Sequence, residues 1–321
     1  MTVAPSDDKA PAVSVMMPVY NAELYVGEAI RSILDQSFAD FELIAIDDGS
    51  TDGSLRILEE YKTQDPRIRV FSRENRGVAA TFNEMIALAR GRYLACCDAD
   101  DLYPTGRLKW QVNWLSEHRN HIAISGGFRT ITEKGQPIAD LACEGVGRDV
   151  TSQLLAGTSV TTHCAWLKRA SAIHGVGGAR TWFVTAEDLD LQCRLATRGQ
   201  VWHEPRVAYL YRLHDESMIH NQSNTLREFY GQSAKRFAIQ RAERGYDDLE
   251  AGKPPLPPKI DARDSRTTAR DQGSSHLVGA AWRAHQRGAR LEGICTMLRA
   301  LRMRPYYLPF WKSLIMLVLK R

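Results

Sequence analysis

Apolar residues over the first hundred positions follow two alternating rhythms. Val13-Ser14-Val15-Met16-Met17-Pro18-Val19 is a short, β-branched, apolar run and predicts a buried strand. From Ala22 to Gln36 the spacing of Leu24, Ala29, Ile30, Ile33 and Leu34 is helical. Phe41 to Ile46 predicts a second buried strand. It stops at Asp47-Asp48-Gly49-Ser50-Thr51-Asp52, whose turn and cap residues open a helix over 53–63. The same rhythm gives a strand at 68–72, a helix at 78–89 and a strand at 93–97 that ends at Asp98. Strand and helix in turn, with short connections, specify an α/β fold: a mostly parallel sheet with helices on both faces.

Beyond residue 104 the pattern is less regular. A helix near 106–118, strand-like runs at 122–128 and 160–168, and a helix after Glu187 can be read. The polar residues 1–12 read as a disordered arm, and 245–275, rich in Pro and charge, as a linker. The remainder, 276–321, reads as a helical appendage. Its apolar run at 313–319 is too short to cross a bilayer.

Charge changes this picture in one place. The 321 residues carry 42 Lys and Arg against 38 Asp and Glu, and 44% are hydrophobic, proportions that exclude a disordered, collagen-like or coiled-coil chain. Nine of the basic residues fall in 276–321 against the single acid Glu292, a balance of +8 that leaves the first 275 residues at −4. A nucleic-acid binder would be basic across its fold, so no nucleic-acid partner is expected of an acidic body with a basic tail. The six cysteines show no C-x-x-C pair and no zinc spacing, which suits a reduced, intracellular chain. With no signal-peptide pattern in the first twelve residues, the expected location is cytoplasmic, at the inner face of the cell membrane if the tail docks there.

Open parallel sheets bind ligands at the carboxyl ends of their strands, and the polar clusters of this chain fall there. Pro18-Val19-Tyr20-Asn21 follows the first strand, Asp47-Asp48 the second, Arg73-Glu74-Asn75 the third and Asp98-Ala99-Asp100-Asp101 the fourth. Three carboxylates in four residues repel one another unless a cation or hydrogen bonds compensate, and such oxygen ligands suit Mg²⁺ or Mn²⁺. Alone, the cluster reads equally as a solvated, helix-capping turn. There is no Walker A loop, and Gly175-Val176-Gly177-Gly178 is no dinucleotide fingerprint.

Taken in order, Val13–Asn21, Ser32–Phe38, Phe41–Asp52, Asn75–Gly77, Asn83, Gly91–Leu102, Arg107-Leu108 and Ala186–Leu195 resemble a family 2 glycosyltransferase of the GT-A fold. The resemblance covers roughly residues 13–220. It implies a nucleotide-sugar-binding half over 13–104 and an acceptor-binding half over 105–244. It places Pro18, Tyr20, Asn21, Asp48 and Arg76 around the nucleotide, with Tyr20 stacking on the base and Asp48 accepting from a ring N–H. An acidic partner suits uracil or thymine, so a UDP-sugar is favoured, although guanine offers N–H donors too. Asp98 would face the ribose or a metal-bound water. Asp100 would bind Mn²⁺ or Mg²⁺ bridging the two phosphates, the cation neutralising the departing diphosphate. Asp188 would be the base that takes the acceptor proton, with Glu187 beside it; both also suit a helix N-terminus. Tyr211-Arg212-Leu213-His214 matches the Tyr-Arg-x-His ending of many relatives, which implies His214 as a further metal ligand or diphosphate contact and Arg212 as a phosphate clamp.

The sequence departs from the family pattern in three places. It lacks the Gln-x-x-Arg-Trp segment of processive synthases. Phe82 stands before Asn83 where many relatives have Arg. Ala-Arg-Thr-Trp follows Gly177-Gly178 in place of Phe-Asp, so Trp182 either stacks on a sugar or belongs to the core. The implied activity is an inverting, metal-dependent, non-processive transfer to a hydroxyl of a glycan or lipid-linked saccharide, in surface polysaccharide or glycoconjugate synthesis. The alternative is a catalytically silent, nucleotide-sugar-binding relative, which the joint presence of Asp48, Asp98, Asp100 and Asp188 disfavours. For the tail, docking on an anionic membrane and packing on the domain or on the partner of a homodimer both remain open.

Overall fold

The computed structural model describes residues 10–260 and 264–320, so most of the arm read over 1–12 lies outside the described residues. Strand β1 (Val13–Val19) is central. It pairs in parallel with β2 (Phe41–Asp47) on one side and β4 (Tyr93–Cys96) on the other, and β3 (Ile68–Ser72) extends the sheet beyond β2. Helices α1 (Val26–Leu34), α2 (Ser54–Gln64) and α3 (Val78–Leu88) make the crossovers. Neither β1 nor β2 has an exposed position, as expected of parallel strands covered on both faces. Glu42 interrupts that apolar run and is compensated: Ser14 Oγ donates to it at 2.6 Å, and Arg69 and Arg90 pair with it at 2.8 and 3.0 Å. These hydrogen bonds and cations outweigh the opposing effect of burial and hold its carboxyl below the usual range.

After α4 (Arg107–Glu117) the sheet becomes mixed. Strand β5 (His121–Thr132) carries β6 (Pro137–Leu141) on its flank, and β7 (Arg148–Asp149) closes the far edge, followed by the short α5 (Thr151–Leu155). Strand β8 (Trp166–Arg169) runs antiparallel to both β4 and β5, and α6 (Ala170–Gly175) follows it. The strand-like reading at 160–168 therefore holds only at its end, because His163–Ala165 forms a 3₁₀ turn. Helix α7 (Glu187–Leu195) leads into β9 (Gln200–Leu213), which lies parallel to β5. The full order of the sheet is β3-β2-β1-β4-β8-β5-β9-β7.

Two long elements were not read from the sequence. Glu204-Pro205-Arg206 breaks the apolar rhythm of β9, and the register shifts there. The short α8 (Met218–Asn221) precedes the second, α9 (Asn224–Arg244), which starts where Ser223 Oγ accepts from Leu226 N–H and stops at the left-handed Gly245.

Within 245–275, read as a linker, the described residues on either side of 261–263 are held by side-chain contacts. Asp247 is buried against Arg180 and Arg241, Asp264 accepts from the Ser223 and Thr225 hydroxyls, and His220 Nδ1 donates to the Thr267 carbonyl at 2.7 Å. Its end is helical, because Thr268 and Asp271 form a capping box that starts α10 (Ala269–Gln286). Two more helices follow, α11 (Arg290–Met303) and α12 (Leu308–Leu319). The three pack around Leu277, Met297, Phe310 and Leu317, against Ile138 and Ala139 of β6 and Leu213 of β9.

Candidate active site

Strands β1 to β4 are parallel, so their four polar ends share one edge of the sheet. At the end of β1, Asn21 has a left-handed backbone (φ 47°). Its side chain accepts from Thr51 N–H at 2.8 Å, while its own N–H donates to Ser50 Oγ at 3.0 Å. Asn21 thus ties the loop after β1 to the loop after β2. Neighbouring Tyr20 is left 55% exposed, a ring at the rim. Pro18, in β1, pairs in register with Ile46 of β2.

Asp48 is buried at the end of β2. Its carboxylate accepts from the Arg73 guanidinium, from Arg76 N–H at 2.8 Å and from Gly77 N–H at 3.1 Å. Arg73 also pairs with Glu84 at 2.6 Å and donates to Thr81 Oγ1 at 2.8 Å, so the loop before α3 sets the carboxylate's orientation. The Arg76 side chain is exposed.

The three aspartates after β4 have separate environments. Asp98 N–H donates to the Tyr209 hydroxyl at 3.0 Å. Burial first, and then the charges of Asp100 and Asp188, push the Asp98 carboxyl up to about 6. Asp101 is buried and raised well above the usual range by burial and the neighbouring charges; it accepts Arg212 N–H at 2.7 Å, which locks the loop to β9. Asp100 is partly open, and its Oδ2 lies 2.8 Å from His214 Nε2. The His214 ring rests on Tyr25, with ring centroids 4.7 Å apart, and its Nδ1 is buried without a partner.

The first turn of α7 carries Glu187, Asp188 and Asp190. Asp190 is buried and paired with Arg180 and with Arg194 at 2.8 Å, while Arg180 and Arg241 also reach Asp247. Glu187 and Asp188 form no ion pair among the described residues. Burial and the charge of Asp188 push Glu187 up to about 8, and burial raises Asp188 as well. The Lys168 charge acts in the opposite direction on Asp188, and that ammonium is buried, donating to His163 Nε2 at 2.9 Å. Just before them, Ala186 is left-handed (φ 61°), an uncommon conformation for a residue with a Cβ. A cavity of about 510 Å³ opens beside Asp188, lined among others by Thr185, Asn224, Arg227 and Glu228.

The structure therefore gathers Asp98, Asp100, His214, Glu187 and Asp188, with Tyr20 and Asp48 further along the same sheet edge. Two expected contacts have other occupations. Arg212 is buried: its guanidinium donates to the carbonyls of Asp100 and Glu133 at 2.7 and 2.5 Å and pairs with Glu28 at 2.8 Å, so it braces the site and is not free to clamp phosphate. Trp182 packs edge-on to Phe183 and Tyr230, at 4.9 and 5.0 Å between centroids, and belongs to an aromatic core. Arg73 was placed at the site by its strand end but given no role there, and Tyr25 and Lys168 were not found from the sequence. A lone Tyr, Arg or Lys carries no spacing signal; only its neighbours in the fold give it a role.

The donor set can be tested against the implied divalent cation. Among the described residues no group of three or more His, Cys, Asp or Glu side chains could hold a metal. Asp100 Oδ2 and His214 Nε2 nevertheless face each other as one oxygen and one nitrogen ligand atom. Mg²⁺-type sites commonly take one or two protein ligands and complete the shell with phosphate oxygens and water, so the pair fits.

Residues 14–174 match the family described as Glycosyl transferase family 2. The chain belongs to that family. The putative glycosyltransferase EpsE of Bacillus subtilis is 34% identical over 214 residues, 65% of this chain and 75% of that protein. A putative teichuronic acid biosynthesis glycosyltransferase of the same organism, TuaG, is 37% identical over 129 residues, 40% of this chain and 51% of that one. Of a further relative, the chondroitin synthase of Escherichia coli, this chain spans 30% of the length. Among solved structures, residues 1–349 of S. aureus TarS with UDP-GlcNAc superpose with a TM-score of 0.61 at 16% identity, covering 91% of this chain and 81% of that one. The mannosyltransferase PcManGT of Pyrobaculum calidifontis, with GDP-Man and Mn²⁺, superposes at 0.52 and 18% identity, covering 98% and 86%. These likenesses establish the GT-A architecture, and the family 2 transferase is an enzyme acting on nucleotide sugars.

Proposed function

We propose that this glycosyltransferase is inverting, metal-dependent and non-processive, and moves one sugar from a nucleoside-diphosphate donor, a UDP-sugar by preference, to a hydroxyl of a glycan or lipid-linked acceptor. The observation that carries the reading is the pair of unpaired acids at the start of α7, set against the aspartates after β4. Tyr20 and Asp48 take the base, Tyr20 through its exposed ring and Asp48 through the acceptor capacity left on a carboxylate already oriented by Arg73. Uracil, with one ring N3–H, matches that single acceptor. Asp98 faces the ribose.

The acceptor sugar occupies the cavity beside Asp188. Its hydroxyl oxygen attacks the anomeric carbon from the face opposite the diphosphate and passes its proton to the Asp188 carboxylate. The new C–O bond forms as the bond to the phosphate oxygen breaks, and the diphosphate leaves with that electron pair. Asp100 and His214 would hold Mn²⁺ or Mg²⁺, which supplies positive charge to the departing diphosphate. Surface polysaccharide or glycoconjugate synthesis is the setting that suits such acceptors, and the likeness to TuaG, a putative teichuronic acid biosynthesis glycosyltransferase, supports it.

The test is thermal stabilisation by uridine, thymidine and guanosine diphosphate sugars, each with Mn²⁺, Mg²⁺ or chelator. One nucleotide series should stabilise the protein only when a cation is present, and Asp100→Asn should abolish the shift. Stabilisation indifferent to chelator would exclude the metal, and no shift with any donor would favour the silent relative.

A further inference from the structure

Helix α12 has two apolar stripes. Phe310, Leu314 and Leu317 pack on the core shared with α10 and α11. Leu308, Trp311, Ile315, Met316 and Leu319 recur at helical spacing on another stripe and face solvent, Leu308 at 70% and Leu319 at 72% exposure. Tyr306, just ahead of the helix, is 95% exposed. The Trp311 indole donates to the Pro305 carbonyl at 2.7 Å, which fixes the ring in this arrangement. An apolar stripe left open along most of a helix marks an interaction surface.

Charge decides what covers it. Lys312 falls within the open stripe, and Lys320, exposed just past the end of α12, has its ammonium 6.0 Å from the Trp282 ring centroid. These two lysines make no ion pair among the described residues, whereas acids of the appendage and its surroundings are taken: Glu144 and Glu292 pair with Arg287, and Asp271 with Arg304. A second copy would meet this patch with the same patch, cation against cation. An anionic surface complements it. At 12 residues α12 rises about 18 Å, against about 30 Å of bilayer hydrocarbon, so it can lie in an interface but not span one. Tyr and Trp suit the headgroup boundary, and lysines among apolar side chains extend their ammonium groups to it.

We propose that the open face of α12 docks the enzyme on a bilayer containing anionic lipid. The three C-terminal helices pack on Leu213, the residue before His214, so docking fixes the active-site edge relative to the membrane, where lipid-linked acceptors reside. The proposal goes beyond the transfer reaction and does not depend on it.

Flotation of the full chain with vesicles is the test, using phosphatidylcholine alone or mixed equally with phosphatidylglycerol. The enzyme should bind the anionic vesicles at low salt, bind the neutral ones less, and detach as the screening length falls from about 10 Å at 0.1 M to about 3 Å at 1 M salt. Lys312→Gln with Lys320→Gln should weaken binding about 30-fold. Ile315→Asp, also at an exposed position, should abolish it while leaving the melting temperature unchanged. Failure of the native chain to bind anionic vesicles, or equal binding by the variants, overturns the proposal. So does a dimer in light scattering that Ile315→Asp dissociates in the absence of lipid. No donor is needed in this assay, so failure here leaves the transferase reading standing.

Discussion

Burial favours the protonated form of Glu187. Burial and the adjacent Asp188 charge push its carboxyl up to about 8, so within the pair Asp188 is the group available to accept one. Glu187→Gln imitates that protonated form. Turnover of the variant should stay within a few-fold of native at about pH 7, and only above about pH 8 should the two profiles separate. A loss of orders of magnitude at neutral pH would move the base role to Glu187. Stability gives a second reading of the same group. Its folded pKa lies above the unfolded value, so the contribution is complete below about pH 4.5 and is lost as pH rises through about 8. Glu187→Gln should therefore melt with native at about pH 4 and be stabler at about pH 9, by on the order of 1 kcal/mol after allowing for partial exposure.

At the scale of the element, α7 is clamped from behind. Asp190 and Asp247 are fully buried, with Arg180, Arg194 and Arg241 between them, and Arg194 also donates to the Val176 and Gly178 carbonyls at 2.6 Å each. Asn83 completes the clamp with two 2.8 Å hydrogen bonds to the backbone of Ala179. Gly178 (φ 72°) is required there, since a Cβ would run into the Asn83 amide. These contacts set the direction in which Glu187 and Asp188 project, although none of them reaches the cavity. Arg180→Met leaves two buried carboxylates short of a cation and should cost about 3 kcal/mol in urea unfolding. An unchanged midpoint would show that Arg194 and Arg241 suffice.

Across the whole molecule, four parallel strands collect at one sheet edge what the chain distributes over eighty residues, and β9 returns His214 to Asp100. The first half was legible because buried parallel strands write continuous apolar runs, each ending in a polar cluster. Less of the second half was legible: Pro205 conceals β9, and the three arginines that clamp α7 are scattered over sixty residues. The family resemblance offered Arg212 as a phosphate clamp and left Trp182 between sugar stacking and core; burial makes Arg212 a brace, and packing on Phe183 and Tyr230 puts Trp182 with the core. Glu187 and Asp188 form no ion pair among the described residues, whereas Asp190 and Asp247 beside them are held by arginines, and a base is the chemistry assigned to the open pair. The most direct measurement is Asp188→Asn, compared with native for turnover of the stabilising donor and for donor-induced thermal shift. The expected result is a loss of about 10²–10⁴-fold in rate with the shift intact. A variant that turns over at the native rate, or one that no longer binds donor, would contradict the assignment of Asp188 as the base.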